Sequence, residues 1–258
     1  MYFTNAEHFK GTTGYIIDDV WYPRVTSIIN IKSKPALYRF YAELNGFSEG
    51  ESIKKKSADE GTKVHEAVQA ILTGREPEID QTIAPAVTAF RKYLAENNIQ
   101  VDADFIEKRV INFNERYAGT IDALALINGR FGILDIKTSQ AIYRDYNLQT
   151  AAYFPPLQEQ FRNLQTRWIL RIDQVQNCLT CGATRRTKGG REKIRLPRNG
   201  NNGTMKPCNN DDHQWSDLQG QIELKEFPYW QDDYAAFLGA KKLWEWEHDY
   251  WLKQIGYL

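Results

Sequence analysis

The chain has no run of eighteen apolar residues, so no segment is expected to span a membrane. Its opening residues, MYFTNAEHFKGTTGY, lack the basic-then-apolar order of a secretory leader. The expected location is therefore the cytoplasm of a prokaryote or of a phage-infected host cell. There is no G-x4-G-K-[ST] phosphate loop, so any strand unwinding must come from another protein. Net charge is absent as well. The 33 Lys and Arg balance 33 Asp and Glu, so a site for a polyanion has to be a local basic patch. Three cysteines are too few for a four-cysteine iron–sulfur cluster, and none lies near the N-terminus. No internal repeat is visible. What is present is an ordinary globular composition, 42% hydrophobic and 26% charged, long enough for one α/β domain with a small insert.

The segment Tyr117–Tyr153 carries most of the chemistry. Tyr117–Ile127 and Arg130–Lys137 both read as strands, and Asn128-Gly129 between them suits a two-residue hairpin turn in which both positions want positive φ. Residues i and i+2 of a strand share a face, so Asp135 and Lys137 point one way and Ile136 points into the core. Asp122, on the paired strand, reaches the same face if the register permits. A carboxylate at the rim of an apolar strand is costly unless it has a partner. A hard divalent cation is one such partner, and Mg²⁺ takes only a couple of protein carboxylates while keeping waters for substrate. Asp122, Asp135 and Lys137 are thus the candidate catalytic groups of a metal-dependent phosphodiesterase. For an isolated D-x-K the alternative is a surface hairpin with a strand-end ion pair between Asp135 and Lys137.

Flanking segments add candidates. Ser57–Gly74, SADEGTKVHEAVQAILTG, places Val64, Val68, Ile71 and Leu72 at helical spacing, with Gly74 as a stop and His65 in the first turns. Downstream, Tyr143–Gln160 is helical in pattern. Gln149 and Tyr153 share a face as i and i+4, and Tyr146 lies about one turn earlier. An amide and phenol hydroxyls can bind phosphate, and a Tyr ring can stack on a base. The alternatives are an ordinary capping histidine at His65 and a helix that packs Tyr146 and Tyr153 inward.

Taken in series, G-T-x-x-H at Gly61–His65, G-T-I-D at Gly119–Asp122, D-I-K-T at Asp135–Thr138 and Q-x-x-x-Y at Gln149–Tyr153 resemble the PD-(D/E)XK nuclease superfamily, in its RecB-like exonuclease branch. The resemblance covers about ninety residues. It implies a restriction-endonuclease-like α/β core with a mixed central sheet flanked by helices. It implies that His65, Asp122, Asp135 and the Ile136 carbonyl bind Mg²⁺ or Mn²⁺, and that Lys137 acts on the attacking water or the scissile phosphate. It implies that Gln149 and Tyr153, with Tyr146 beside them, contact DNA. Glu107, in FIEKRVINF, is a weaker outer acid. The activity implied is a deoxyribonuclease, an exonuclease on single strands or DNA ends. A structure-specific endonuclease and a DNA-binding accessory protein with a vestigial site are the rivals, the second disfavoured by intact His65, Asp122, Asp135 and Lys137. A helicase or a single-strand annealing or recombination protein is a compatible partner.

All three cysteines cluster as Cys178-x2-Cys181, then 26 residues, then Cys208-x4-His213. The spacing suits a tetrahedral structural Zn²⁺. The Gly- and Asn-rich loop it encloses has little else to fold it. A Cys178–Cys181 disulfide or free thiols are the alternatives. Between Cys181 and Cys208, Arg185, Arg186, Lys188, Arg191, Lys193, Arg195, Arg198 and Lys206 face one acid, Glu192. That reads as a basic arm over DNA phosphates, with Arg185, Arg186, Arg191 and Arg195 as contacts, or else as a solvated loop. Residues 1–258 are thus expected as one nuclease domain. It has an N-terminal helical part at 1–100, a core at 101–175 and 220–258, and a zinc-ribbon-like β-hairpin insert at 176–216. Arg24, Tyr38, Arg39 and Lys54–Lys56 are minor phosphate candidates. Phe237, Trp244 and Trp251 recur every seven residues, as a helix stripe packed on the core.

Overall fold

Apolar alternation in the middle of the chain builds a sheet, and periodic apolar segments on either side supply the helices that cover it. The computed structural model describes residues 3–197, 208 and 212–258; Arg198 and Lys206 of the basic loop lie outside them. The chain runs α1 (Ala6–Thr13), β1 (Gly14–Ile17), β2 (Val20–Pro23), α2 (Val25–Ile29), α3 (Pro35–Ala42), α4 (Phe47–Leu72) and α5 (Ala84–Glu96). Strands β3 (Ile99–Ile106), β4 (Arg109–Asn112), β5 (Tyr117–Thr120), β6 (Ala123–Ile127) and β7 (Arg130–Lys137) follow. Then come α6 (Asp145–Gln160), β8 (Thr166–Asn177), β9 (Thr184–Lys188), β10 (Arg191–Arg195), β11 (Gln219–Glu226), α7 (Gln231–Glu247) and α8 (Asp249–Gln254).

The central sheet is mixed and flanked by helices. β3, β6 and β7 pair antiparallel in that order, β7 pairs β8 in parallel, and β11 runs antiparallel to β8 on its other side. α6 makes the crossover that a parallel pair requires. The end of β8, at Gln176 and Asn177, also pairs with β9, so the β9–β10 hairpin grows out of the sheet with no break at residue 176. Alternation along β7 divides the core. Ile133 joins a cluster with Phe9, Tyr117, Phe154, Phe237 and Trp244. Leu134 and Ile136 join a second with Val68, Val87 and Phe90, under α4 and α5. The aromatic stripe runs across two helices, α7 and α8, broken at His248: Phe237 and Trp244 of α7 are buried, and Trp251 of α8 packs against the same cluster, stacked with Phe9. Among the described residues, no helix is long and apolar enough to cross a membrane.

One expectation needs correction. Tyr117–Ile127 is not a single strand but β5 and β6, broken at Ile121-Asp122. FIEKRVINF is likewise broken between β3 and β4, where Glu107 adopts a left-handed φ of 50°. The two breaks face each other. The Glu107 N–H donates to the Asp122 carbonyl at 3.1 Å, and the Ile121 N–H donates to the Lys108 carbonyl at 3.0 Å. Both strands therefore bend together, and β4–β5 forms a separate two-stranded sheet. Alternation reports which face a side chain takes but carries no signal for a bend fixed by a long-range partner. The turn at Asn128-Gly129 does follow its sequence, with φ of 50° and 80°.

Gly119 on β5 passes directly over the Tyr153 ring. A Cβ at 119 would lie 2.4 Å from that ring, so the glycine and the tyrosine of two separate motifs form one packing unit. Gly119→Ala is expected to cost about 1–3 kcal/mol, the usual range for overpacking. Gly239→Ala, on an exposed part of α7 with nothing within 4 Å, is expected to gain up to about 1 kcal/mol through helix propensity. Urea titration followed by tryptophan fluorescence measures both. Equal effects of one sign would contradict the packing assignment.

Candidate active site and cysteine–histidine cluster

The paired bend places the first carboxylate. Ala123 is in register with Leu134, so Asp122 stands across from Asp135 at the end of β7. Asp122 Oδ2 accepts the Ile136 N–H at 2.6 Å. The Lys137 ammonium donates to Asp135 Oδ1 at 2.9 Å and lies 2.7 Å from Oδ2 without hydrogen-bond geometry, so that buried oxygen keeps no donor. Asp135 and Lys137 thus share a face, and fully buried Ile136 points into the core, as the strand period dictates. His65 enters from α4, its Nδ1 3.9 Å from Asp122 Oδ2. One turn before it, a Cβ at Gly61 would lie 2.9 Å from Thr138 Oγ1, so the bare glycine lets α4 approach the strand end closely enough to deliver His65. The Tyr146 ring lies 5.1 Å from the Lys137 ammonium.

Two nearly buried acids and one ammonium leave this site with one excess negative charge. Burial pushes the Asp135 carboxyl up to about 6, with Lys137 opposing and Asp122 adding to the rise. Burial also raises Asp122, against Lys137 and the Ile136 amide. Burial pulls Lys137 down, but both aspartates outweigh it and hold the ammonium charged. His65 is held below its usual range by burial and by the Lys137 charge. A neutral imidazole, two costly carboxylates and an oxygen without a donor suit a divalent cation. The arrangement is more open than the cysteine cluster, since among the described residues only the latter brings its ligand atoms within 4.8 Å of one another.

His65 and Lys137 line a cleft of about 440 Å³ together with Ile136, Thr138, Tyr146 and Lys188, among others, and the two aspartates lie behind them rather than in its lining. Glu107 lines the adjoining groove beside His65 and accepts from Gln69 Nε2 at 2.6 Å. Tyr153 departs from expectation. Its side chain is 2% exposed beneath Gly119, so it has no surface for a nucleic-acid strand. Gln149 Nε2 lies 3.5 Å from its hydroxyl, which makes Tyr153 a support for Gln149. The helix phase was legible, but not which neighbour would cover it.

The basic insert is not a free arm. Arg186 donates to both oxygens of Asp173, at 2.9 and 2.7 Å, and to the Thr138 carbonyl at 3.1 Å. Lys188 donates to the same carbonyl at 2.6 Å, and burial lowers its pKa to about 8. Gly189 N–H donates to Glu60 of α4 at 3.1 Å. Arg191 pairs with Glu43 at 2.7 Å, and Arg185 lies over Trp215 and 3.5 Å from Glu192. Arg195 is exposed. The hairpin therefore roofs the cleft, with Arg186 and Lys188 spent on its wall. Lys188 was counted in the sequence as one charge among eight. Its i, i+2 relation to Arg186 on a strand was the signal that both face one way. Of the minor candidates, Arg24 stacks on Tyr15 and Lys54 pairs with Glu51.

At the base of the hairpin, Cys178, Cys181, Cys208 and His213 converge into a cluster that can hold a metal ion. Cys178 Sγ lies 3.7 Å from Cys208 Sγ, and Cys181 Sγ lies 3.4 Å from His213 Nδ1. Gly182, at φ 72°, turns the chain so that its N–H donates to the Cys178 carbonyl at 3.0 Å. All three cysteines are free, so the disulfide alternative is not what forms. Burial raises the Cys178 thiol, but amides of Cys181 and Thr180 and the His213 ring outweigh it and bring it to about 5. Burial and the neighbouring sulfurs push Cys208 up to about 11. One sulfur is thus readily ionised and another resists, as expected where negative charge gathers without a counter-ion.

No family model matches the chain, and no curated protein matches it.

Asp122→Asn keeps an acceptor for the Ile136 amide and removes one of two crowded charges. In Mg²⁺- and Mn²⁺-free buffer its stability advantage over the parent is expected to be absent below the ordinary carboxylate range. It should grow as pH rises to about 7, because a carboxyl with a raised pKa keeps its proton in the fold after the unfolded chain has released it. Urea titrations across pH measure this. A parent more stable than the variant at neutral pH would contradict the electrostatic account.

Proposed function

We propose that the chain is a Mg²⁺- or Mn²⁺-dependent deoxyribonuclease with a restriction-endonuclease-like core of the RecB-like type, carrying a zinc-bound, ribbon-like hairpin. The observation that carries this reading is the buried pair Asp122 and Asp135, face to face at a strand end, with Lys137 between carboxylate and cleft and a neutral His65 opposite. Asp122, Asp135, His65 and the Ile136 carbonyl would hold the cation. When bound, it supplies a hydroxide-like water and neutralises charge on the phosphate. His65 is a softer ligand than Mg²⁺ prefers and favours Mn²⁺. Lys137, kept protonated by both aspartates, presents its remaining N–H bonds to the water or to a phosphate oxygen, where negative charge develops. Tyr146 flanks that ammonium and Gln149 offers its amide to the strand. Of the four hairpin arginines expected to contact DNA, Arg195 remains for phosphate, with Arg185 and Arg191 at the rim. Cys178, Cys181, Cys208 and His213 match the ligand types and number of a closed structural Zn²⁺ site.

Asp135→Ala and Lys137→Ala are each expected to lower cleavage by roughly 100-fold or more, in line with loss of a positioned catalytic group. Only Asp135→Ala should also weaken cation binding. End-labelled linear and circular DNA, single- and double-stranded, incubated with Mg²⁺, Mn²⁺ or no added cation, provides the assay, and thermal shift with Mn²⁺ reports binding. An Asp135→Ala protein of full activity sinks the assignment.

Purified protein is expected to carry about one zinc per chain, since a Cys₃His set closes the tetrahedral shell, and Cys208→Ser should lose most of it. Because the hairpin rests on Thr138 through Arg186 and Lys188, that variant should also cleave more slowly while its central sheet stays folded. Elemental analysis showing no zinc and no other metal would refute the site.

A further inference from the structure

Beyond Tyr143 and Tyr146, which also line the cleft, lies a larger chamber of about 710 Å³. Its floor is α6 and the residues leading into it, its far wall is α3, and Lys193 of the hairpin stands at its edge. Phe40 gives the α3 wall an aromatic surface. Tyr143 is 46% exposed, and its one aromatic contact among the described residues is edge-on with Tyr146, at 5.8 Å and 77°. A single T-shaped contact engages at most one face of the ring, and nearly half of Tyr143 stays exposed for a ligand. Arg144 and Lys193 line the same space, and among the described residues neither forms a salt bridge. The acid on this wall, Asp145, is already paired with Lys32.

We infer that this chamber is a subsite for an unpaired nucleotide adjoining the scissile phosphate, with Tyr143 stacking on the base and Arg144 and Lys193 meeting the neighbouring phosphates. The inference rests on the nuclease reading for what lies in the cleft and adds where the adjacent unit goes. Three features fit that occupant. An aromatic and aliphatic wall suits a base, and the unpaired cations at the rim suit a phosphodiester. The chamber also shares the two tyrosines, Tyr143 and Tyr146, with the cleft as a common border. A duplex does not suit it, because stacking and pairing keep base faces from a protein ring. Base–aromatic stacking tolerates any base, so the subsite favours single-stranded ends without reading sequence.

The test is a double-mutant cycle between protein and strand. Fluorescence anisotropy without added divalent cation compares a labelled thymidine oligonucleotide with the same strand carrying abasic units. Tyr143→Ala is expected to weaken the normal strand about tenfold, within the range for one stacked base, and the abasic strand scarcely at all. Tyr143→Phe should bind like the parent. Lys193→Ala, an exposed change that leaves packing untouched, should reduce the salt slope of log Kd by about one. Equal losses on normal and abasic strands overturn the subsite, even if the parent cleaves DNA with Mn²⁺. Non-additive losses in a protein that never cleaves uphold the subsite and overturn the nuclease reading. A parent that binds neither strand overturns the subsite and leaves the nuclease reading to the cleavage assay.

Discussion

The hydrogen bond from the Ile136 amide to Asp122 Oδ2, 2.6 Å long, ties together the parts of the cleft. It requires Asp122 to leave the strand geometry of its neighbours, and the paired bend at Glu107 and Asp122 supplies that departure. It fixes one carboxylate against the strand carrying Asp135 and Lys137. The same bend sends β4–β5 away from the sheet, toward Tyr153 and the helices, and turns Glu107 into the groove beside His65. A local backbone irregularity, satisfied by two main-chain hydrogen bonds, thus sets the position of two acidic groups, Asp122 and Glu107, at once.

That arrangement is held against an electrostatic penalty. Two largely buried carboxylates with raised pKa values share one ammonium, and one oxygen of Asp135 accepts no hydrogen bond. A fold optimised for stability alone would replace one of them with a neutral acceptor. Such locally unfavourable clusters mark functional sites, where binding of a ligand returns what the apo fold forgoes. The surrounding packing is correspondingly strict. Gly119 brings β5 onto the Tyr153 ring closer than a side chain would allow, and Gly61 brings α4 against the Thr138 hydroxyl, where a Cβ would force that hydroxyl to move.

The cysteine cluster and the cleft are mechanically joined. The hairpin leaves β8 beside the cluster, runs along the cleft, and rests at its tip on α4 through Gly189 and Glu60. Arg186 and Lys188 converge on one carbonyl, Thr138, the residue after Lys137. The hairpin is thereby bonded to the end of β7 beside Asp135 and Lys137, and it supplies a wall to both the cleft and the chamber beyond Tyr143.

By itself the sequence determined the local and periodic features. Strand alternation put Asp135 and Lys137 on one face and Ile136 in the core. The Asn128-Gly129 turn, the α4 helix around His65, the C-terminal aromatic stripe and the spacing of the four sulfur and imidazole groups were all legible, because each depends on residues near in sequence. Only the tertiary structure decided the bend at Asp122, the burial of Tyr153 and the commitment of Arg186, Lys188 and Arg191 to internal partners. Each of those depends on a residue in another element: Glu107 for Asp122, Gly119 for Tyr153, Asp173 and Thr138 for the hairpin. A charge or a ring announces its chemistry in one dimension. Whether it faces solvent, substrate or another side chain is settled by which distant segment packs against it.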